Sequence, residues 1–184
     1  MTCFQSARLI LRTLEERDGP AWLRLMSDPR VRRFLPPGPV PTADLFPQVL
    51  QRRHELEREF GFAVWAAELT ETGAFIGQCG LYPAEFKGPE VELAYHFMPA
   101  YWKQGFGSEA ATAVLSHAFE ALGLDEVIAL VMPENVGSWR VMEKAGMRFD
   151  SLGTYYEIEG LKKYVARREW WRRPAEVADS EVSV

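Results

Sequence analysis

The sequence predicts one mixed α/β domain, and three observations lead to that prediction. Its 184 residues are the usual size of a single domain. Short runs rich in apolar and aromatic residues alternate with segments whose apolar residues have helical spacing. The second half also contains a strand–helix–strand unit, which is typical of mixed α/β folds. We therefore expect one domain over residues 1–171, followed by a flexible tail over residues 172–184.

Composition and charge limit the classes of function. Hydrophobic residues make up 47% of the chain and charged residues 26%, as in soluble globular proteins. The formal net charge of -5 argues against nucleic acid as a partner and favours a cationic substrate such as an amine. Cys3 and Cys79 lack the neighbours of a metal site, and charged residues interrupt every apolar run before membrane-spanning length. With no signal-peptide pattern at the N-terminus, we expect a cytoplasmic protein without a membrane or metal partner.

Strands and helices are expected to alternate from the start of the chain. Arg8–Thr13 has the pattern of a strand, and Asp18 is placed to cap a helix that Pro29 ends or resets. The proline-rich segment Pro36–Pro41 predicts a turn-forming loop. A second helix should follow, because apolar residues recur there at helical spacing. These residues are Leu45, Phe46, Val49, Leu50 and Leu56.

Three strands are predicted in the middle of the chain. Phe62–Leu69 and Ala74–Tyr82 flank a short turn, which indicates an antiparallel hairpin. In Val91–Phe97, large apolar residues alternate with more polar positions, so one face should lie on the core. The more polar positions are Glu92, Ala94 and His96.

The remaining elements complete the sheet. A strand is predicted at Val127–Met132 and a short helix at Asn135–Ala145. Phe149–Ile158 and Leu161–Arg168 then form a closing hairpin, with its turn expected at the intervening Glu159 and Gly160.

A glycine turn at Trp102–Gly107 runs directly into a predicted helix whose apolar positions extend from Ala110 to Leu122. Glycines allow the backbone to approach an anion closely, and a helix N-terminus adds free N–H groups and partial positive charge. The turn could therefore hold a diphosphate, although the same pattern also occurs as a tight turn without a ligand. The third glycine of a dinucleotide fingerprint and the Gly-Lys-Ser/Thr of a Walker loop are both missing.

Three sequence blocks, Glu92–Phe97, Tyr101–Ala110 and Asn135–Phe149, together resemble the GNAT superfamily of N-acetyltransferases. The likeness is strongest to the RimJ/RimL-type branch, the ribosomal-protein N-terminal acetyltransferases, and it extends weakly over most of residues 8–171. The resemblance implies a central, mostly antiparallel sheet of about seven strands with about four flanking helices. The sheet would be splayed where acetyl-CoA binds.

The same resemblance implies acetyl-CoA as cosubstrate, with its pyrophosphate at the glycine turn. A backbone N–H of Phe97 or Met98 would polarise the thioester carbonyl. Lys103 replaces the glycine that is common in the family, and its side chain could reach a phosphate or the solvent. The implied cofactor-binding residues are Phe97, Met98, Lys103, Gln104, Gly105, Gly107, Ser108 and Asn135.

Three residues are considered for proton transfer, with Glu92 and Ser138 preferred. Glu92 is the expected base, acting directly or through water, and the alternative is a solvated strand glutamate. His96 has suitable chemistry but is more often structural in such a position. Many family members protonate the thiolate with a tyrosine where this chain has Met142. The resemblance then assigns the acid role to Ser138, whose alternative role is in the first helical turn.

The acceptor is expected to be a primary amine. At pH 7 an α-amino group costs about 1.4 kcal/mol to deprotonate and a lysine about 4.6 kcal/mol, which favours protein or peptide N-termini. Glu85, Glu90 and Glu157 could attract a cation at the mouth of the site, which Tyr155 and Tyr156 would border. Small-molecule amine acetylation and a CoA-binding module without turnover remain alternatives. The oligomeric state also remains open, with a homodimer as one alternative.

Overall fold

The computed structural model describes residues 2–174, which form an eight-stranded sheet flanked by five α-helices. The strands are β1 (Cys3–Gln5), β2 (Leu9–Arg12), β3 (Val64–Leu69), β4 (Phe75–Pro83), β5 (Val91–Phe97), β6 (Glu126–Val131), β7 (Arg148–Tyr155) and β8 (Ile158–Arg167). The helices are α1 (Gly19–Ser27), α2 (Pro29–Arg32), α3 (Phe46–Phe60), α4 (Phe106–Glu120) and α5 (Val136–Lys144). Within the described residues, no helix combines the length and the apolar composition that a bilayer crossing requires.

The strand order is β1-β2-β3-β4-β5-β6-β8-β7. Every neighbouring pair is antiparallel except β5 and β6, which are parallel. The predicted mixed α/β class and GNAT-type sheet are confirmed. The count exceeds the expected seven strands and four helices because β1 and α2 are too short to produce a periodic pattern. The α2 helix forms because Asp28 accepts a hydrogen bond from the Arg30 N–H and Pro29 occupies the first turn.

Helices cover both faces of the sheet. On one face α4 supplies buried side chains such as Val114 and Leu115, which belong to the same core cluster as Leu93 of β5. On the other face α1 and α3 contribute Trp22 and Phe46, which pack with Ala66 of β3. Residues of β5 therefore face α4 or the α1–α3 side alternately.

The parallel strands β5 and β6 separate soon after they meet. Their register contains a single pair, Glu92 with Ile128, while β5 continues to Phe97. Beyond that pair, β6 is held by β8 on its other side. A gap, which we call the wedge, therefore opens between the C-terminal halves of β5 and β6, with backbone groups of β5 along one side.

The last hairpin differs from the sequence prediction. Its turn lies at Tyr156 and Glu157, with φ of 54° and 61°, and not at Glu159 and Gly160. Positive φ at both central residues is the geometry of a type I′ turn, which the sequence did not reveal because neither residue is glycine or asparagine. Gly160, with φ of 74°, lies inside β8 opposite a register shift in β7. The glycine thus serves a bulge and not the turn.

The start of α1 is at the predicted position, but Asp18 acts differently. Its carboxylate accepts two hydrogen bonds from Arg12 at 2.8 Å and one from the Glu15 N–H at 2.9 Å. Asp18 therefore ties β2 to the beginning of α1 and does not cap the helix with its side chain. Most of the predicted tail, residues 175–184, lies outside the described part of the chain.

Candidate active site

Glu92 lies at the closed end of the wedge. It faces Tyr82 across the β4–β5 pair and Ile128 across the β5–β6 pair. Its residue surface is only 5% exposed. The Tyr156 hydroxyl donates a hydrogen bond to Glu92 Oε2 at 2.6 Å. The predicted base is therefore a buried, oriented carboxyl group and not a solvated strand glutamate.

Burial determines the ionisation of this carboxyl group. Loss of solvation raises the pKa of Glu92 from 4.5 to about 7. Hydrogen bonds from Tyr156 and Tyr82 oppose this rise in pKa, while the nearby charges of Glu90 and Glu85 add to it. A carboxyl group with a pKa near neutrality can accept a proton from an amine and release it again, as general base catalysis requires.

Tyr156 is held in place through Glu85. The Glu85 N–H donates to the Tyr156 hydroxyl at 3.0 Å, and the Tyr156 N–H donates to Glu85 Oε1 at 2.9 Å. Glu90 receives the Lys163 ammonium at 2.5 Å and the Tyr155 hydroxyl at 3.0 Å. Two of the three acidic residues expected at the mouth therefore position neighbouring groups, and the charge of Glu90 is already compensated.

His96 is on the same strand but is only a weak proton acceptor at neutral pH. Its Nδ1 lies 3.0 Å from Gln78 Nε2. Burial, together with the charge of Arg53, lowers the pKa of His96 to about 4. The imidazole is accordingly neutral at physiological pH, which agrees with a structural or positioning role.

The backbone along the wedge distinguishes Phe97 from Met98. The Met98 N–H donates to the Ile76 carbonyl of β4 at 2.9 Å. Because successive residues of a strand direct their amides to opposite edges, the Phe97 N–H points away from β4 and into the wedge. The Phe97 carbonyl, on the same edge, accepts a hydrogen bond from Trp102 Nε1 at 2.7 Å. Of the two predicted donors, only Phe97 has an amide facing the wedge.

The glycine turn has the geometry of an anion site. Gly105 has φ of 83° and directly precedes α4. The first bond of that helix runs from the Glu109 N–H to the Gly105 carbonyl at 3.0 Å. The amides of residues 106–108 therefore have no partner within the helix. Lys103 has φ of 62°, which explains why glycine suits that position.

Arg8 also lies at this turn, a position that the sequence did not reveal. Its guanidinium lies 4.3 Å from the centre of the Phe106 ring and forms an ion pair with Glu109 at 2.7 Å. A Cβ atom on Gly105 would lie 3.2 Å from Arg8 Nη2. The predicted strand gave no sign of this proximity, because about one hundred residues separate the two segments.

Ser138 lies on the α4 face of the sheet, in the first turn of α5. The Asn135 side chain caps this helix by accepting a hydrogen bond from the Ser138 N–H at 3.2 Å. Ser138 Oγ is 2.9 Å from the Tyr95 hydroxyl, which also donates to the Ser138 carbonyl at 2.8 Å. Burial raises the pKa of Tyr95, so its phenol stays protonated. Sequence reasoning missed Tyr95, while Met142 lies in the core at 2% exposure.

The sheet separates beside a helix that follows a glycine turn, and a buried carboxyl group lies at the closed end of the gap. This arrangement is typical of acyl-CoA-dependent acyltransferases. The chain belongs to the GNAT acetyltransferase family, whose acetyltransferase (GNAT) domain matches residues 8–148. Proteins of this family use acetyl-CoA and an amine acceptor, and the chain is an N-acetyltransferase of this type.

Individual proteins support the same family. The chain is 30% identical over 165 residues to the uncharacterized N-acetyltransferase YnaD of Bacillus subtilis, covering 89% of each chain. A GNAT-family acetyltransferase structure from Bacillus anthracis superimposes with a TM-score of 0.78 at 26% identity, covering 91% of this chain and 99% of that one. Mycobacterium smegmatis RimJ, solved in complex with CoA-disulfide, has the same fold with a TM-score of 0.78 at 21% identity, covering 91% and 87%.

Proposed function

We propose that this N-acetyltransferase acetylates the α-amine of a protein or peptide N-terminus by direct attack on the thioester of acetyl-CoA. The observation that carries the proposal is the buried Glu92, whose pKa of about 7 suits a base that works at neutral pH. Glu92 accepts the proton of the attacking amine, directly or through one water molecule. Tyr156 keeps the carboxylate oriented through its 2.6 Å hydrogen bond.

The pKa of Glu92 favours an α-amine over a lysine. Proton transfer from an α-ammonium group of pKa about 8 to a base of pKa about 7 is uphill by about 1.4 kcal/mol. The same transfer from a lysine ammonium group of pKa about 10.4 is uphill by roughly 4.6 kcal/mol. A lysine acceptor would therefore need further stabilisation of its neutral form, which an N-terminus does not.

Acetyl-CoA supplies the thioester, and this chain supplies the groups that hold and polarise it. The wedge-facing Phe97 N–H is placed to donate to the carbonyl oxygen as negative charge develops on it. The free amides at the start of α4 would bind the pyrophosphate, and the Arg8 guanidinium, which is paired with Glu109, lies beside them. The proposed cofactor-binding residues are Phe97, Met98, Lys103, Gln104, Gly105, Gly107, Ser108 and Asn135.

Ser138 is the proposed acid for the departing thiolate. The Tyr95 hydroxyl donates its one proton to the Ser138 carbonyl, so Ser138 Oγ, 2.9 Å away, donates to the phenol oxygen. In the proposal the phenol O–H turns to Ser138 Oγ and stabilises negative charge on that oxygen as the serine proton leaves. A phenol from β5 would thus support the serine where many related enzymes use a tyrosine at the position of Met142. The catalytic pair in this proposal is Glu92 and Ser138, with Tyr95 and Tyr156 as positioning residues.

An acceptor panel tests the proposal. Release of the CoA thiol and the mass of the acetylated product would be measured for each acceptor. The acceptors are peptides with a free N-terminus and no lysine, N-terminally blocked lysine peptides, polyamines and aminoglycosides. We expect the free N-terminal peptides to have the highest kcat/KM. Turnover confined to small amines would replace the proposed acceptor class. Binding of acetyl-CoA in a thermal-shift assay without transfer to any amine would instead indicate a binding module.

A further inference from the structure

A second polar cluster lies on the same face of β5 as Glu92, four residues further along the strand. Its centre is Gln78 of β4, which is only 2% exposed and pairs with His96 across the sheet. Trp22 Nε1 donates to Gln78 Oε1 at 3.1 Å, and Arg53 Nη2 donates to the same oxygen at 2.9 Å. Helices α1 and α3 therefore converge on this glutamine. We call these four residues the Gln78 cluster.

The hydrogen-bond donors of the cluster determine which ring nitrogen of His96 carries the proton. Indole and guanidinium groups can only donate, so the atom of Gln78 that faces them is its oxygen. The Gln78 amide nitrogen then faces His96 and donates to Nδ1 at 3.0 Å. Because Nδ1 accepts a hydrogen bond, the proton of the neutral ring is on Nε2. His96 is thus a hydrogen-bond donor through Nε2, on a side chain that is only partly buried.

Arg53 brings a positive charge that has no anionic partner in the described part of the chain. Its Nη1 donates to the Val64 carbonyl at 2.5 Å and its Nη2 to Gln78, both of which are neutral acceptors. No carboxylate of residues 2–174 lies within 4.0 Å of this guanidinium. Burial alone lowers the pKa of Arg53 to about 10. A desolvated cation without a counterion is costly unless a ligand supplies the anion.

Glu92, Ala94 and His96 follow one another along the same face of β5. Glu92 and His96 are therefore about 13 Å apart along the strand, from roughly 3.3 Å per residue. Between them, Ala94 is partly exposed and offers only a methyl group. An acceptor lying along this face meets a carboxylate at one end and a guanidinium with a ring N–H at the other.

We propose that Arg53 and His96 Nε2–H bind a carboxylate of the acceptor while its amine is acetylated toward the Glu92 end. This inference rests on the proposed function and narrows its substrate class. A span of about 13 Å corresponds to fewer than four extended residues, so the carboxylate must lie within about three residues of the amine. The shared chemistry is an amine with a carboxylate two or three residues away, either an acidic side chain early in a peptide or the C-terminal carboxylate of a tripeptide.

The test compares acceptors that differ only in this carboxylate. Peptides with glutamate or glutamine at the second or third position, and a third set with the glutamate moved to the eighth position, separate a local contact from net charge. Tripeptides with and without C-terminal amidation form the other arm, and free amino acids, whose carboxylate cannot span the distance, should show no such preference. Because a hydrogen-bonded charge pair is worth more than a neutral contact, we expect kcat/KM to be about tenfold higher for the early glutamate or free carboxylate.

Variants link this preference to Arg53. Arg53→Met should abolish the ratio between matched acceptors, mainly through KM for the acceptor, and Arg53→Lys should retain part of it. The KM for acetyl-CoA should stay unchanged in both. Arg52→Met is the matched control, because Arg52 is an exposed neighbour that pairs with Glu55 at 3.6 Å, and its ratio should equal that of the wild type.

The wild-type comparison decides the matter even if Arg53→Met fails to fold. Equal kcat/KM for glutamate and glutamine acceptors at every position, with turnover intact, would overturn the carboxylate site and leave the N-acetyltransferase function standing. A preference that is the same with glutamate at the eighth position, or that survives in Arg53→Met, would also overturn it. Failure to acetylate any amine would refute the proposed function itself, and this inference with it.

Discussion

Replacing Glu92 by glutamine should stabilise the folded protein at alkaline pH. Burial moves the pKa of this carboxyl group from 4.5 to about 7, and each pKa unit corresponds to about 1.4 kcal/mol. The folded-state pKa lies above the unfolded value, so the stability contribution of wild-type Glu92 is fully present below about pH 4.5. It is lost as the pH rises through about 7, which amounts to about 3 kcal/mol at pH 8.

The assay is urea unfolding of the wild type and Glu92→Gln at pH 5 and pH 8. Glutamine has no charge to bury, so the variant should gain about 2 to 3 kcal/mol relative to the wild type between the two pH values. Glu71→Gln, at an exposed turn position, is the control and should show no such gain. A stability difference that does not change with pH would refute the argument that Glu92 is held in a desolvating environment.

Three further predictions concern other residues of the candidate active site. Tyr156→Phe removes a hydrogen bond to the charged form of the base, so the pH limb of kcat/KM should move up by about one unit in steady-state assays. Lys103→Gly relieves a left-handed backbone with φ of 62° and should add about 1 kcal/mol in urea unfolding. Lys87→Gly, at φ of -122°, should not stabilise. Ser138→Ala and Tyr95→Phe should each lower kcat about tenfold, and the double variant should lose little more, as measured by CoA release.

Each of these predictions has a contrary result. An unmoved pH limb would mean that the Tyr156 phenol does not stabilise the carboxylate. Equal changes in stability at positions 103 and 87 would remove the argument from backbone strain. Multiplicative losses in the Ser138 and Tyr95 variants would mean that the two hydroxyl groups act independently.

Local patterns sufficed to predict much of the fold, and the family resemblance pointed to Glu92 as the proposed base. The alternation in Val91–Phe97 predicted β5 with its observed bounds, and the glycine turn predicted the start of α4 to within two residues. The turn of the last hairpin was misplaced because glycine favours positive φ in bulges as well as in turns. Only the pairing of β7 with β8 distinguishes these uses, and that pairing is not a local property of the sequence.

The environment of the site was beyond local patterns. The pKa of Glu92 depends on Tyr156, which is 64 residues away in sequence and reaches it only through the β7–β8 turn. The role of Tyr95 depends on where α5 packs, and that of Arg53 depends on how α3 lies over the sheet. Whether the N–H of Phe97 or of Met98 faces the wedge depends on which of the two pairs with β4. Each of these features arises from tertiary packing between distant segments.

The central claim is that a buried Glu92 acts as the base for acetyl transfer to an amine. The most direct test is the pH profile of kcat/KM for wild type and Glu92→Gln, with one N-terminal peptide acceptor and saturating acetyl-CoA. We expect the wild-type profile to rise through pH about 7 and again through the amine pKa of about 8. The variant should lose the limb near pH 7, keep the limb of the amine, and lose roughly 100-fold in kcat/KM. A variant within about twofold of the wild type at every pH would contradict the claim.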